Sequence, residues 1–182
     1  MELDTIGIDL GKTIFHLVGL NRVGEVVIRR KFSRLQLLRF TANLRVRLIG
    51  MEACGGSHFL GRSLREQGHE VRLMPAQYVK TNKNDYIDAE AIAEAAGRAN
   101  MRFVPMKSDE QLDMQSLHRV RDRWVARRTS VINQIRGLLL ERGITFRKGR
   151  RHAEACLPGV LEDADNCLSG PLRVLLAQLQ AS

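Results

Sequence analysis

The sequence predicts an α/β protein: a mixed sheet flanked by helices, followed by a long helix. Three observations carry this. Three apolar runs, the first with two-residue alternation, follow one another within the first 33 residues, as in a meander. Further apolar runs then alternate with helix-patterned segments up to about residue 105. Finally, Asp109 to Arg136 contains neither Gly nor Pro, and Leu117, Trp124, Val131 and Leu138 recur at intervals of seven.

Residues 3–9 read as a short buried strand with Thr5, Gly7, Asp9 and Gly11 on one face and Ile6, Ile8 and Leu10 on the other. The Asp9 face is lined by small residues, which leaves room for an ion and a substrate backbone. A second strand covers 14–20, Asn21-Arg22-Val23-Gly24 is a turn, and a third strand covers 25–32. Ser33 caps a helix through Leu37, Leu38 and Phe40. A fourth strand, 45–51, ends at Glu52. Gly55-Gly56 breaks the chain, and Ser57 starts a helix with Phe59, Leu60 and Leu64 inward, stopped by Gly68. A fifth strand, 70–74, is closed by Pro75. A helix over 85–97 packs through Ile87, Ala91, Ile92 and Ala95, and 102–105 suits a last short strand. This is the order of an RNase H-like mixed sheet, and the pattern alone fits several α/β folds.

The long helix reads as a coiled coil of mixed quality: Val120 and Ile135 partly fill a second seam, and Arg127 or Arg128 interrupts it. Gly143 ends it. A basic knot follows, Arg147-Lys148-Gly149-Arg150-Arg151, then a helical stretch over 152–161 and a last helix over 172–180 opened by Ser169-Gly170-Pro171. The expected division is a first domain over 1–107, an oligomerisation helix over 108–145, and a basic linker with helices over 146–182.

The 182 residues are 44% hydrophobic but only 5% aromatic, so the core must be mostly aliphatic. A net charge of +9 points to a polyanion, nucleic acid first and an anionic membrane surface second. The charge is concentrated: Arg119 to Arg151 holds eleven Lys/Arg against two acids. Cys54, Cys156 and Cys167 form no CxxC pair, which points to a reducing cytosol rather than a disulfide framework or zinc site. No run approaches the ~18 apolar residues of a membrane span, and the N-terminus lacks a signal-peptide layout.

Four acids stand out: Asp9, Glu52, Asp85 and Asp88. Two sit at or near strand ends, and Asp85 and Asp88, three apart, share a helix face. Phosphoryl-transfer sites often hold two divalent ions ~3.5–4 Å apart on such carboxylates. Each acid also fits a plainer role. Asp9 suits a turn, Glu52 a helix cap, and Asp85 with Asp88 a capping arrangement; spacing alone leaves both readings open. Lys80, Asn82, Lys83 and Asn84 fit backbone contacts beside a metal and equally a solvated loop. Arg119, Arg121, Arg123, Arg127 and Arg128 fit phosphate contact or a soluble helix face, with the one-sided charge favouring contact. The five histidines, His16, His58, His69, His118 and His152, show no ligand spacing and read as structural or exposed. Cys54 reads as a small buried hydrophobe and Trp124 as packing rather than base stacking.

The blocks IGIDLGKTIFHLVGLN, MEACGGSHFLGRSL and VKTNKNDYIDAEAIAEAAGR together resemble the DEDD-type insertion-sequence transposases, a family that includes pilin-gene inverting recombinases and members guided by a bridge RNA. The resemblance covers 4–142 and continues more loosely to the end. It implies a RuvC-like, RNase H-like catalytic domain over 1–107 whose Mg²⁺-binding tetrad (Mn²⁺ substituting) falls on Asp9, Glu52, Asp85 and Asp88. It also implies DNA as substrate, a structured guide RNA, a dimer or tetramer through the long helix, and a cytoplasmic, nucleoid-associated setting in a bacterium or archaeon. Nucleic-acid contacts are expected at Lys12, Lys80, Lys83, Arg119, Arg123, Arg127, Arg128, Arg147, Lys148, Arg150 and Arg151. The family's second domain, with its attacking serine, has no counterpart here. Ser169 reads as a helix-start residue, and the chain as an N-terminal piece unable to complete recombination alone. The alternative is a non-catalytic nucleic-acid-binding and oligomerisation module. The GIDLGKT run also resembles the first phosphate loop of sugar kinases and actin-like ATPases, but no second such loop follows; Lys12 fits a phosphate contact in either case.

Overall fold

The computed structural model describes residues 2–78 and 84–181. The chain forms two compact units, Met1–Asp109 and Glu110–Ser182.

In the first unit, β1 (Thr5–Leu10), β2 (Ile14–Leu20) and β3 (Val26–Ser33) form an antiparallel meander. Asn21 fixes the turn between β2 and β3: its Oδ1 accepts from the backbone N–H groups of Val23 (3.0 Å) and Glu25 (2.9 Å). On the other side of β1, β4 (Leu48–Glu52) and β5 (Val71–Met74) add in parallel, giving a five-stranded sheet in the order β3-β2-β1-β4-β5. Mixed pairing in this order, with helices against the sheet, is consistent with the RNase H-like fold that the sequence predicts.

The two faces of the sheet are built differently. On one, Ile6, Ile8, Leu17, Ile49 and Met51 bury against Leu37 of α1 (Arg34–Ala42) and Leu60 and Leu64 of α2 (Ser57–Glu66). Each such buried aliphatic side chain contributes about 1.5–3 kcal/mol over an exposed one. On the other lies α3 (Asp85–Ala96), an alanine-rich helix. Gly7 and Gly50 are paired neighbours on β1 and β4. A Cβ at Gly7 would stand 2.0 Å from the Ala89 carbonyl oxygen and 2.5 Å from the Ala93 nitrogen, and one at Gly50 would stand 2.6 Å from Ala96 Cβ. The small-residue face is therefore not open beside Gly7, as the sequence suggests; the backbone of α3 fills it.

This close approach explains two further differences. The buried stripe of α3 is Asp88, Ala89, Ile92, Ala93, Ala95 and Ala96, because small residues must face the glycines; Ile87 is turned out, 50% exposed. Likewise α2 buries Leu60, Gly61 and Leu64, while Phe59 is outside with the Arg34 guanidinium 5.5 Å from its ring centre. The cap of α3 also differs from expectation. Asn84 holds that place, its side chain accepting from the Tyr86 N–H at 3.0 Å, and Asp85 is the first helical residue. The short strand expected at 102–105 is a single bridge from Val104 to Leu73.

The second unit contains α4 (Asp109–Leu140) from Glu110 onward, α5 (Arg150–Glu162) and α6 (Gly170–Ala181). Ile135, Leu139, Leu157, Leu168 and Leu176 form its core. Arg173 closes the end of α5 by donating to the carbonyls of Leu161 (2.7 Å) and Asp163 (2.6 Å). The seven-residue series on α4 is split. Val131 and Leu138 pack against this core, whereas Leu117 and Trp124 are 65% and 70% exposed. Among the described residues, no helix is long and apolar enough to cross a membrane.

Candidate metal centre and nucleic-acid surface

Strand alternation places the candidate acids. Asp9 lies two residues beyond Gly7 and Glu52 two beyond Gly50, so both emerge on the α3 side at the C-terminal ends of parallel strands. The first turn of α3 brings Asp85 and Asp88 to the same corner. Asp88 is buried at 8% exposure, Asp9 and Glu52 are half-buried, and Asp85 is exposed. A fifth group joins them. His16 is the cross-strand partner of Asp9, and its Nδ1 is 3.3 Å from Asp85 Oδ2. One ring nitrogen of His16 and one oxygen each of Asp9 and Asp85 all lie within 4.8 Å of one another. The Tyr86 ring meets the His16 ring edge-on at 4.9 Å.

The electrostatics match this crowding. Burial pushes the Asp9 carboxyl above its ordinary range, and the charges of Asp85 and Asp88 push it further, while His16 and the Leu10 N–H oppose. Glu52 is raised by burial and then by Asp9 and Asp88. The half-buried Cys54 thiol is raised by burial and then by Glu52 and Asp9, so it is no activated nucleophile. Hard carboxylate oxygens with one imidazole, the Asp9 and Glu52 carboxyls penalised by their neighbours, are a donor set that fits a divalent cation. The N-terminus of α3 adds a favourable partial charge for the two acids in its first turn.

The remaining histidines hold ordinary places. His58 Nδ1 accepts from the Lys107 N–H at 3.2 Å, His69 Nε2 meets the Thr41 carbonyl at 3.0 Å, and His118 and His152 are exposed. Sequence spacing gives no hint of His16; only the β1–β2 register brings it to the acids.

Of the cationic candidates, Lys12 is exposed in the turn after β1. Lys80 and Lys83, with Asn82, lie outside the described residues. Arg119 and Arg123 are exposed on α4, as are Arg147, Lys148 and Arg151 around the start of α5. Arg127, Arg128 and Arg150 converge with Trp124 on a cleft of about 590 Å³ within the second unit.

Residues 6–143 match the family model of the DEDD transposases of the IS110 type, described as "Transposase". The chain belongs to that transposase family. Relatives include a probable family 20 transposase of Pseudomonas aeruginosa, 46% identical across 99% of this chain and 55% of the relative. The transposase for insertion sequence element IS1328 of Yersinia enterocolitica is 45% identical over 79% of this chain and 44% of its own length. The transposase for IS1111A of Coxiella burnetii is 43% identical over 88% and 45%. The chain thus spans about half the length of these curated transposases. All four acids, His16 and the whole of α4 fall inside the span matched by the transposase family; α5 and α6 fall beyond it.

Proposed function

We propose that this chain carries the metal-binding catalytic half of a DNA transposase. Residues 1–107 would hold Mg²⁺, or Mn²⁺ in its place, on Asp9, Glu52, Asp85 and Asp88, and cut and rejoin DNA strands by RuvC-like phosphoryl transfer. The observation that carries this reading is the gathering of those carboxylates at one corner of an RNase H-like sheet, with Asp9 and Glu52 raised by burial and by their neighbours. A bound divalent cation supplies positive charge against phosphate oxygens. The protein's part is rigidity: Asp9 and Glu52 ride on paired strands, and α3 is held against Gly7 and Gly50. Lys12, Lys80 and Lys83 would meet the DNA backbone beside the metal.

The exposed cations of α4 and the start of α5 support a second role, gripping nucleic acid, which includes a structured guide RNA, through residues 108–182. The exposed Leu117, Val120 and Trp124 support self-association along α4 as a dimer or tetramer. A binding and assembly module without catalysis is the competing reading.

Thermal unfolding in chelator and in Mg²⁺ or Mn²⁺ separates the two. The expected result is a higher Tm with metal, by a few degrees at saturating ion, and no such rise for Asp9→Asn. A wild-type chain whose Tm ignores both ions defeats the catalytic reading.

A further inference from the structure

His16 stands at this corner with no role in a four-acid site. Its position is well defined. The β1–β2 register sets it opposite Asp9, its side chain is only 17% exposed, and the Tyr86 ring abuts it edge-on. Its Nδ1 lies 3.3 Å from Asp85 Oδ2, and a ring nitrogen shares a space within 4.8 Å with oxygens of Asp9 and Asp85. Ligands ~2.1 Å from an octahedral ion are about 3.0 Å apart when adjacent and about 4.2 Å apart when opposite. Small side-chain adjustments therefore bring all three atoms onto one ion.

The surroundings also divide about Asp9. Glu52 feels Asp9 and Asp88, whereas His16 lies against Asp85. Resting on the metal-site reading above, we propose that His16 is a metal ligand: with Asp9 and Asp85 it forms a nitrogen-containing cation position that favours Mn²⁺ over Mg²⁺. The chemical reason is ligand softness. Mg²⁺ prefers oxygen and retains water, whereas an imidazole nitrogen suits first-row transition ions. A purely positioning role, in which His16 only steers the Asp85 carboxylate, would leave no nitrogen bonded to the metal.

Mn²⁺ electron paramagnetic resonance with echo-modulation detection on the full chain decides this. The expected spectrum shows coupling to a directly bound imidazole ¹⁴N, changed to ¹⁵N coupling by ¹⁵N-histidine labelling. His16→Asn should abolish it and weaken Mn²⁺ on the order of tenfold, with a smaller change for Mg²⁺. Mn²⁺ bound to the wild type without nitrogen coupling overturns the proposal for His16 and leaves the acid site standing. Failure of the wild type to bind Mn²⁺ at all overturns both. If His16→Asn does not fold, the presence or absence of ¹⁵N coupling in the labelled wild type still separates these outcomes.

Discussion

Two aspartates in the first unit respond to pH in opposite directions, and the reason is local. Asp9 is raised by burial and by Asp85 and Asp88, so the metal-free folded chain holds that proton more tightly than the unfolded chain. Its contribution is favourable below the ordinary carboxyl pKa and is lost as pH rises through the raised value. Asp4 is the reverse. Arg47 donates to it through Nε (3.0 Å) and Nη2 (2.7 Å), holding its carboxyl below the ordinary range. That contribution is present above the ordinary pKa and is lost as pH falls through the lowered one. In chelator, Asp9→Asn should therefore raise Tm at pH 7, with a gain that shrinks towards about pH 4. Asp4→Asn should lower Tm at pH 7, with a loss that shrinks below about pH 4. Unfolding scans across pH check both; an Asp9→Asn gain independent of pH would assign the effect to packing. At this scale the sequence is uneven as a guide. The acids sit in distinctive blocks and stand out on reading, whereas His16 depends on which residue faces Asp9 across a hairpin, and chain spacing does not encode that register.

The position of α3 depends on the Gly7–Gly50 pair more than on any polar contact. A methyl at Gly7 would meet backbone atoms of Ala89 and Ala93, which cannot rotate aside. Gly7→Ala should cost about 1–3 kcal/mol, as overpacking in cores does, and should weaken Mn²⁺ by moving Asp85 and Asp88 away from Asp9. Urea unfolding with a parallel Mn²⁺ titration measures the two effects; unchanged stability and affinity would mean that α3 sits farther from β1. The same packing shows why the order of elements is readable while helix faces are not. The apolar runs of β1, β2 and β4 belong to each segment alone. Which side of α3 turns inward is set by two glycines on strands distant in sequence, so Ile87, the most apolar choice locally, ends outside. On α4 the seven-residue series is real in sequence, but its last two members pack against the second unit's core, leaving only the first two exposed.

At the scale of the whole chain, charge is segregated. The segment from Arg119 to Arg151 has eleven cations and two acids, which matches the entire net charge of +9 and leaves the rest of the chain neutral in sum. The acid corner, free of metal, repels a phosphate backbone. Affinity for nucleic acid without metal is then expected chiefly from the cationic segment, and it should be salt-dependent, because each neutralised phosphate releases counterions. Arg127, Arg128 and Arg150 are the members of that segment that converge on one cleft. In chelator, duplex DNA binding should persist, and log K should fall linearly with log salt. Replacing all three arginines by Gln should flatten that slope by up to about 2.7, at ~0.9 per lost phosphate contact. Asp9→Asn should leave the slope as it is. Fluorescence anisotropy over a salt series reads the result. An unchanged slope in the triple variant would remove the cleft from the interface, and loss of binding in chelator would move the grip to the metal corner, where phosphate and carboxylates meet only across a bound cation.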